Sequence, residues 1–142
     1  MKYIEILKHP VFILGILLKI GLISLAQQAD VFNGYIHFID LAMQNPMSPW
    51  ETWFAINGVD STFPYGLFML YLFFPFFILA KWFNFDLNLA YYATLFVFDI
   101  ILLFLLVRLF DKHQTLTLII YWLSPIILFA VYYQGFNDLI PT

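Results

Sequence analysis

Residues 89–110 read LAYYATLFVFDIILLFLLVRLF. Asp99 and Arg108 are the only charged residues in this run. At 1.5 Å of rise per residue a helix of this length crosses the ~30 Å hydrocarbon core of a bilayer. Three further runs of similar character lie around it, near residues 10–26, 63–82 and 116–133. The expectation is an all-α integral membrane protein with about four transmembrane helices. One or two interfacial amphipathic helices are expected in a long first outer loop, residues 27–62. Residues 1–142 read as a single transmembrane domain, with no internal repeat and no low-complexity linker.

Composition points the same way. The chain is 63% hydrophobic and 11% charged, with a mean hydropathy of +0.88. Soluble domains carry roughly a quarter charged residues. Aromatic residues make up 22%; phenylalanine suits lipid-facing and packing surfaces, while tyrosine and tryptophan prefer the interfaces. A net charge of −3 excludes the basic footprint that nucleic acid requires. The absence of cysteine excludes disulfides and thiolate metal sites.

The N-terminus resembles a signal peptide, with Lys2 and Lys8 ahead of an apolar run. No small-x-small cleavage site follows, because Ser24-Leu25-Ala26 leads into Gln27-Gln28-Ala29-Asp30. An uncleaved first span is the reading. Pro10 suits its first turn, where a missing N–H costs nothing. Lys19 lies deep in it, at a cost on the order of 3 kcal/mol on insertion scales. Such a lysine either faces protein or snorkels to the interface. Lys19 and Asp30 are eleven residues apart, so a helix continuing that far would bring both to one stripe.

The first loop holds Asp30, Asp40, Glu51 and Asp60 but no Lys or Arg. That composition places it on the outer, extracytoplasmic side, although the basic residues elsewhere score orientation weakly, Lys2, Lys8 and Lys81 inside against Arg108 and Lys112 outside. Within the loop, Asp30, Asn33, His37, Asp40 and Gln44 recur three and four apart, with Val31, Tyr35, Phe38, Ile39 and Ala42 mostly opposite. That is a narrow polar stripe on a helix. Asn45-Pro46 ends it. Trp50 and Trp53 read as interfacial anchors on a second short helix near Trp50–Ile56, and Asn57-Gly58 as a turn. Pro64 and Gly66 open the second span and Pro75 kinks it. Ser124-Pro125 breaks the fourth.

Several residues are candidates for chemistry. Asp30, at the exit of the first span, is either a base that accepts a proton from an acceptor hydroxyl or a helix N-cap, and the two roles are compatible. His37 and Asp40 share its stripe. They are candidates to line a substrate site or to hold a divalent cation, although a solvated stripe explains them as well, and no metal site is assigned. Asp99 is an intramembrane carboxylate, either functional or pairing helices inside the bundle. Asn137 and Asp138 follow Gly135 in a polar segment with room for a ligand. No P-loop, GxGxxG, Cys/His spacing or Ser/His/Asp set is present.

Taken together these features resemble the N-terminal part of the GT-C superfamily of polytopic membrane glycosyltransferases, of the mannosyltransferase-like kind. The likeness rests on Lys19 followed by Asp30, on Asn45-Pro46 and Pro49-Trp50 after an interfacial helix, on Phe63-Pro64-Tyr65-Gly66, and on Asp99-Ile100-Ile101-Leu102-Leu103. A looser part is Ser124-Pro125 followed by Gln134-Gly135-Phe136-Asn137-Asp138-Leu139-Ile140-Pro141. The resemblance implies inverting transfer of a sugar from a polyprenyl-phosphate donor to a hydroxyl acceptor at the outer membrane face. Asp30 matches the family's catalytic or acceptor-positioning aspartate. Because family members are longer, the chain is expected to be an N-terminal fragment, inactive alone and completed by further spans or a partner subunit that would supply the donor-phosphate site. On this reading His37, Asp40, Asn137 and Asp138 contribute to substrate binding and Lys19 supports Asp30 electrostatically. Two other readings stand beside it: a small multi-span transporter or flippase using Lys19 and Asp99, and a non-catalytic membrane subunit.

Overall fold

Two turn signals shape the middle of the chain, and both are visible in the computed structural model, which describes residues 3–25, 30–56 and 63–136. Asn84 takes a left-handed conformation, φ 54°. Its amide donates to the Lys81 carbonyl at 3.4 Å and the Phe85 amide to the Ala80 carbonyl at 2.8 Å. This double bond pattern satisfies the carbonyls a helix end leaves open. Two residues on, the Asp86 carboxylate accepts from the Asn88 amide at 2.9 Å and so caps the next helix. One apolar helix therefore stops and another starts within a few residues.

Among the described residues every regular element is helical. They are α1 Tyr3–Leu7, α2 Pro10–Leu25, α3 Asp30–Ala42, α4 Pro49–Ala55, α5 Leu67–Phe83, α6 Leu87–Leu109, α7 Gln114–Thr117 and α8 Pro125–Ile127. A 3-10 turn at Asp111–His113 precedes α7. α7 continues as π-helix over Leu118–Trp122, and α8 continues as π-helix over Leu128–Tyr133. The expected turn at Asn57-Gly58 lies outside the described residues.

Among the described residues, two helical stretches are long and apolar enough to cross a membrane by length and composition. They are Leu87–Leu109, with mean hydropathy 2.3, and Gln114–Tyr133, with mean hydropathy 1.9. The other two expected spans are shorter apolar helices, Pro10–Leu25 and Leu67–Phe83. α5 begins later than the apolar run suggests, because Gly66 is held extended, φ −75° and ψ 170°, as the residue before the helix. The residue preceding a proline also avoids helix, which keeps Phe63 out. Pro75 faces outward and the helix continues past it to Phe83. At the fourth run the break falls where Ser124-Pro125 predicts it. Ser124 is non-helical, its hydroxyl accepts weakly from the Ile127 amide at 3.5 Å, and Pro125 occupies the first helical position. Both residues are start signals, so the helix stops and restarts.

The chain forms two compact units, and the division falls inside α6 after Thr94. One unit takes α1, α2 and residues 95–136. Its apolar core is Ile6, Phe12, Leu103, Val107, Leu118 and Trp122. The other runs from α3 to Thr94, and its core is strongly aromatic. α3 buries Tyr35, Phe38, Ile39 and Ala42, positions three and four apart that share one helical face. Phe38 stacks on Phe63 at 5.1 Å and meets Trp50 and Trp53 of α4, each at 5.6 Å. Phe73 of α5 stacks on Tyr91 of α6 at 5.0 Å. Tyr71 donates to the Pro46 carbonyl at 2.9 Å, tying α5 to the turn between α3 and α4.

Candidate functional site

The first unit contains a cluster of buried polar side chains built on three stretches of helix. On α2 the buried residues are Phe12, Gly15 and Lys19, three and four apart and therefore one stripe. The Trp122 indole lies along that stripe. It stacks on Phe12 at 4.9 Å and 8° from parallel, and its N–H donates to the Phe12 carbonyl at 2.9 Å. A Cβ at Gly15 would clash with the Trp122 indole; glycine is what allows so close an approach.

Lys19 follows one turn on and is 1% exposed. Its ammonium sits over the Trp122 ring, 2.9 Å from the centroid, and 5.0 Å from the Tyr132 ring centroid. It pairs with Asp99 of α6, Nζ to Oδ2 2.5 Å. Asp99 is 0% exposed and accepts two further hydrogen bonds. The Tyr121 hydroxyl donates to Oδ1 at 2.7 Å and the Tyr132 hydroxyl to Oδ2 at 2.5 Å.

The electrostatics are closed within the cluster. A buried carboxylate is tolerated when it is paired and hydrogen-bonded, and Asp99 has one cation and two hydroxyl donors. The remaining face of the ammonium looks onto aromatic π-faces, which attract cations. Both carboxylate oxygens are hydrogen-bonded and solvent does not reach the group. As packed, the cluster ties α2, α6 and the Gln114–Tyr133 segment together.

Beside it lies an apolar groove of about 450 Å³ bounded by Leu106, Phe110, Ile120, Tyr121, Ser124 and Ile127, with His113 among its other lining residues. Two of its polar wall residues are hydrogen-bonded within the chain. The Thr117 hydroxyl donates to the His113 carbonyl at 3.1 Å, and Tyr121 donates to Asp99. That leaves an apolar lining suited to hydrocarbon.

The sequence-derived candidates fall as follows. Asp30 is the first residue of α3, and its side chain lies outside the described residues, as do Asn137 and Asp138. His37 is exposed on α3 with its ring edge against Trp53, centroids 5.7 Å apart. Asp40 pairs with Lys81 of α5, Nζ to Oδ1 2.5 Å, at a half-buried surface position. The two atoms touch without hydrogen-bond alignment, so this is a charge contact alone. Among the described residues no three His, Asp or Glu side chains gather to hold a metal ion.

Lys19 and Asp99 are brought together, eighty residues apart in the chain. A helix running through from Lys19 to Asp30 would align the two on one stripe; the structure pairs the Lys19 ammonium with Asp99, and the Asp30 side chain lies outside the described residues. Spacing compares groups on one helix, whereas a buried charge takes the partner that other helices pack against it. Tyr121, Trp122 and Tyr132 were missed as partners. The available signal was a residue with an O–H or indole N–H donor inside an apolar run, which needs an acceptor once buried.

No family profile matches the sequence, and no curated protein or solved structure matches it either. Among the described residues the fold is all-helical, with two helices long and apolar enough to cross a membrane.

Proposed function

We propose that the chain is the acceptor-side membrane module of a polytopic glycosyltransferase of the GT-C kind. α2, α5, α6 and the Gln114–Tyr133 segment are its four crossings, and α3 and α4 lie at the outer surface between the first two. α2 and α5 have 16 and 17 residues, about 24–26 Å of helix, a length that a locally thinned bilayer accommodates. A sugar moves from a polyprenyl-phosphate donor to an acceptor hydroxyl. The acceptor oxygen attacks the anomeric carbon, the bond to the lipid phosphate breaks, the phosphate leaves with the electron pair, and Asp30 takes the hydroxyl proton. A phosphate leaving group needs little protonation, so one carboxylate is sufficient, unlike the pair that glycoside hydrolysis uses.

The observation that carries the reading is that Asp30 begins α3, a helix whose buried face is fastened to α4 through Phe38, Trp50 and Trp53. The reading puts the base at the start of a packed helix, in a segment joining two apolar helices. His37 and Asp40 continue the same helix and line the acceptor side. Lys19 and Lys81 are each engaged by a carboxylate, so neither is free to hold the lipid phosphate.

The test is Asp30→Asn and Asp30→Ala in the protein's own host membranes, supplied with polyprenyl-phosphate mannose carrying a labelled sugar. Transfer per molecule should fall at least ~100-fold at unchanged membrane abundance. Lower abundance with unchanged transfer per molecule would leave Asp30 as a helix cap only.

A second reading, a small transporter or flippase, is favoured by the buried Lys19–Asp99 pair and the broken Ser124–Pro125 helix, since transporters place such features near the membrane midplane. It predicts that Lys19 or Asp99 substitutions abolish function while Asp30→Ala does not.

A further inference from the structure

Asp99 receives hydrogen bonds from both sides of the helix break. Tyr121 lies before Ser124-Pro125 and Tyr132 after it, and the two hydroxyls donate to opposite ends of one carboxylate, Tyr121 to Oδ1 and Tyr132 to Oδ2. Each tyrosine sits in a π-helical stretch, Leu118–Trp122 and Leu128–Tyr133. Such turns are rare and occur mostly as single insertions at functional sites. A helix interrupted at Ser-Pro has lost the backbone hydrogen bonds that would make its halves move as one. Side-chain contacts made by each half then help to fix their angle.

We propose that Asp99 is a latch that holds the two halves of the broken Gln114–Tyr133 helix in one arrangement, with Lys19 as its counter-charge. The latch has a consequence for the neighbouring groove, whose wall includes Tyr121 before the break and Ile127 after it. While both tyrosines are bound the groove keeps its shape; when either lets go, its two walls move independently. This proposal rests on the hydrogen-bond geometry of one unit and does not depend on the glycosyltransferase reading.

The chain contains no cysteine, so paired spin labels can be placed without background. Thr115→Cys and Phe129→Cys put one label on each half at exposed positions. The full chain is reconstituted in phospholipid vesicles and the label-to-label distance distribution is recorded. One narrow peak is expected with the native latch. In Tyr121→Phe/Tyr132→Phe, which keeps the rings and the Lys19–Asp99 pair, the distribution should broaden or split. In Lys19→Leu/Asp99→Leu, which removes the buried charge and still inserts, it should broaden as well. A native-like narrow peak in the tyrosine variant would overturn the proposal, because packing alone would then hold the halves. A broad distribution in the native chain would overturn it too, because no latch would be closed.

Discussion

Trp122 lies 8° from parallel to Phe12 with ring centroids 4.9 Å apart, and its indole N–H donates to the Phe12 carbonyl at 2.9 Å. One side chain thus stacks on a residue of α2 and hydrogen-bonds to its backbone, and the ring continues along the stripe over Gly15 to reach the Lys19 ammonium.

Gly15→Ala should therefore be far more damaging than Gly21→Ala. A Cβ at Gly15 would overlap the indole, and neither α2 nor a stacked ring can give way freely; overpacking of this kind costs typically about 1–3 kcal/mol. A Cβ at Gly21 meets nothing within 4 Å, and within a helix alanine is favoured over glycine by roughly 0.5–1 kcal/mol. Thermal unfolding in detergent, followed by tryptophan fluorescence, should show opposite signs for the two variants. Equal shifts would mean that Trp122 does not rest on Gly15.

Some of this arrangement is legible in the sequence and some is not. The break at Ser124-Pro125, the ends of α3 and α4, and the apolar runs come from local chemistry, because proline, asparagine-proline and helical periodicity act within a few residues. Lys19 and Asp99 each announce a buried charge on their own, yet their pairing across eighty positions is a matter of packing that no local spacing encodes. The three aromatic partners are harder still. Tyr121, Trp122 and Tyr132 are ordinary residues for a membrane helix, and only the π-helical turns aim them at α2 and Asp99.

The Lys19–Asp99 pair should respond asymmetrically to single substitutions. Asp99→Leu leaves the ammonium buried with only aromatic faces for company, and breaking a buried pair in this way costs about 3–5 kcal/mol. Lys19→Leu leaves the Asp99 carboxylate with its two tyrosine donors, so its loss should be smaller. Lys19→Leu/Asp99→Leu should recover most of the stability, since replacing both members of a buried pair by apolar residues is often neutral. The check is a double-mutant cycle on membrane abundance and thermal stability. Additive single effects would show that the two side chains do not interact.

The other ion pair should matter little. Lys81 and Asp40 are 41% and 29% exposed, and partly solvated pairs contribute at most about 1 kcal/mol before screening. Asp40→Asn should shift thermal stability only slightly, and raising the salt concentration should remove what difference there is. A loss on the scale of Asp99→Leu would contradict this. If Asp40 lines an acceptor site instead, Asp40→Asn will lower transfer at unchanged stability, which separates its two roles.

Phe38 is the residue on which the α3–α4 pairing depends most. It is 1% exposed and touches Trp50, Trp53 and Phe63 at once. Phe38→Ala opens a cavity among three rings and should cost about 3–5 kcal/mol. The emission of Trp50 and Trp53 should move to longer wavelength as water reaches them. Phe54→Ala on the exposed side of α4 should do neither. The same pair of variants bears on function. If Asp30 acts as a base held by a packed helix, loosening that helix at Phe38 should lower sugar transfer more than it lowers abundance, because a small displacement of a catalytic group is felt strongly in rate. Transfer that falls only in step with abundance would show that the packing of α3 does not position the reacting groups.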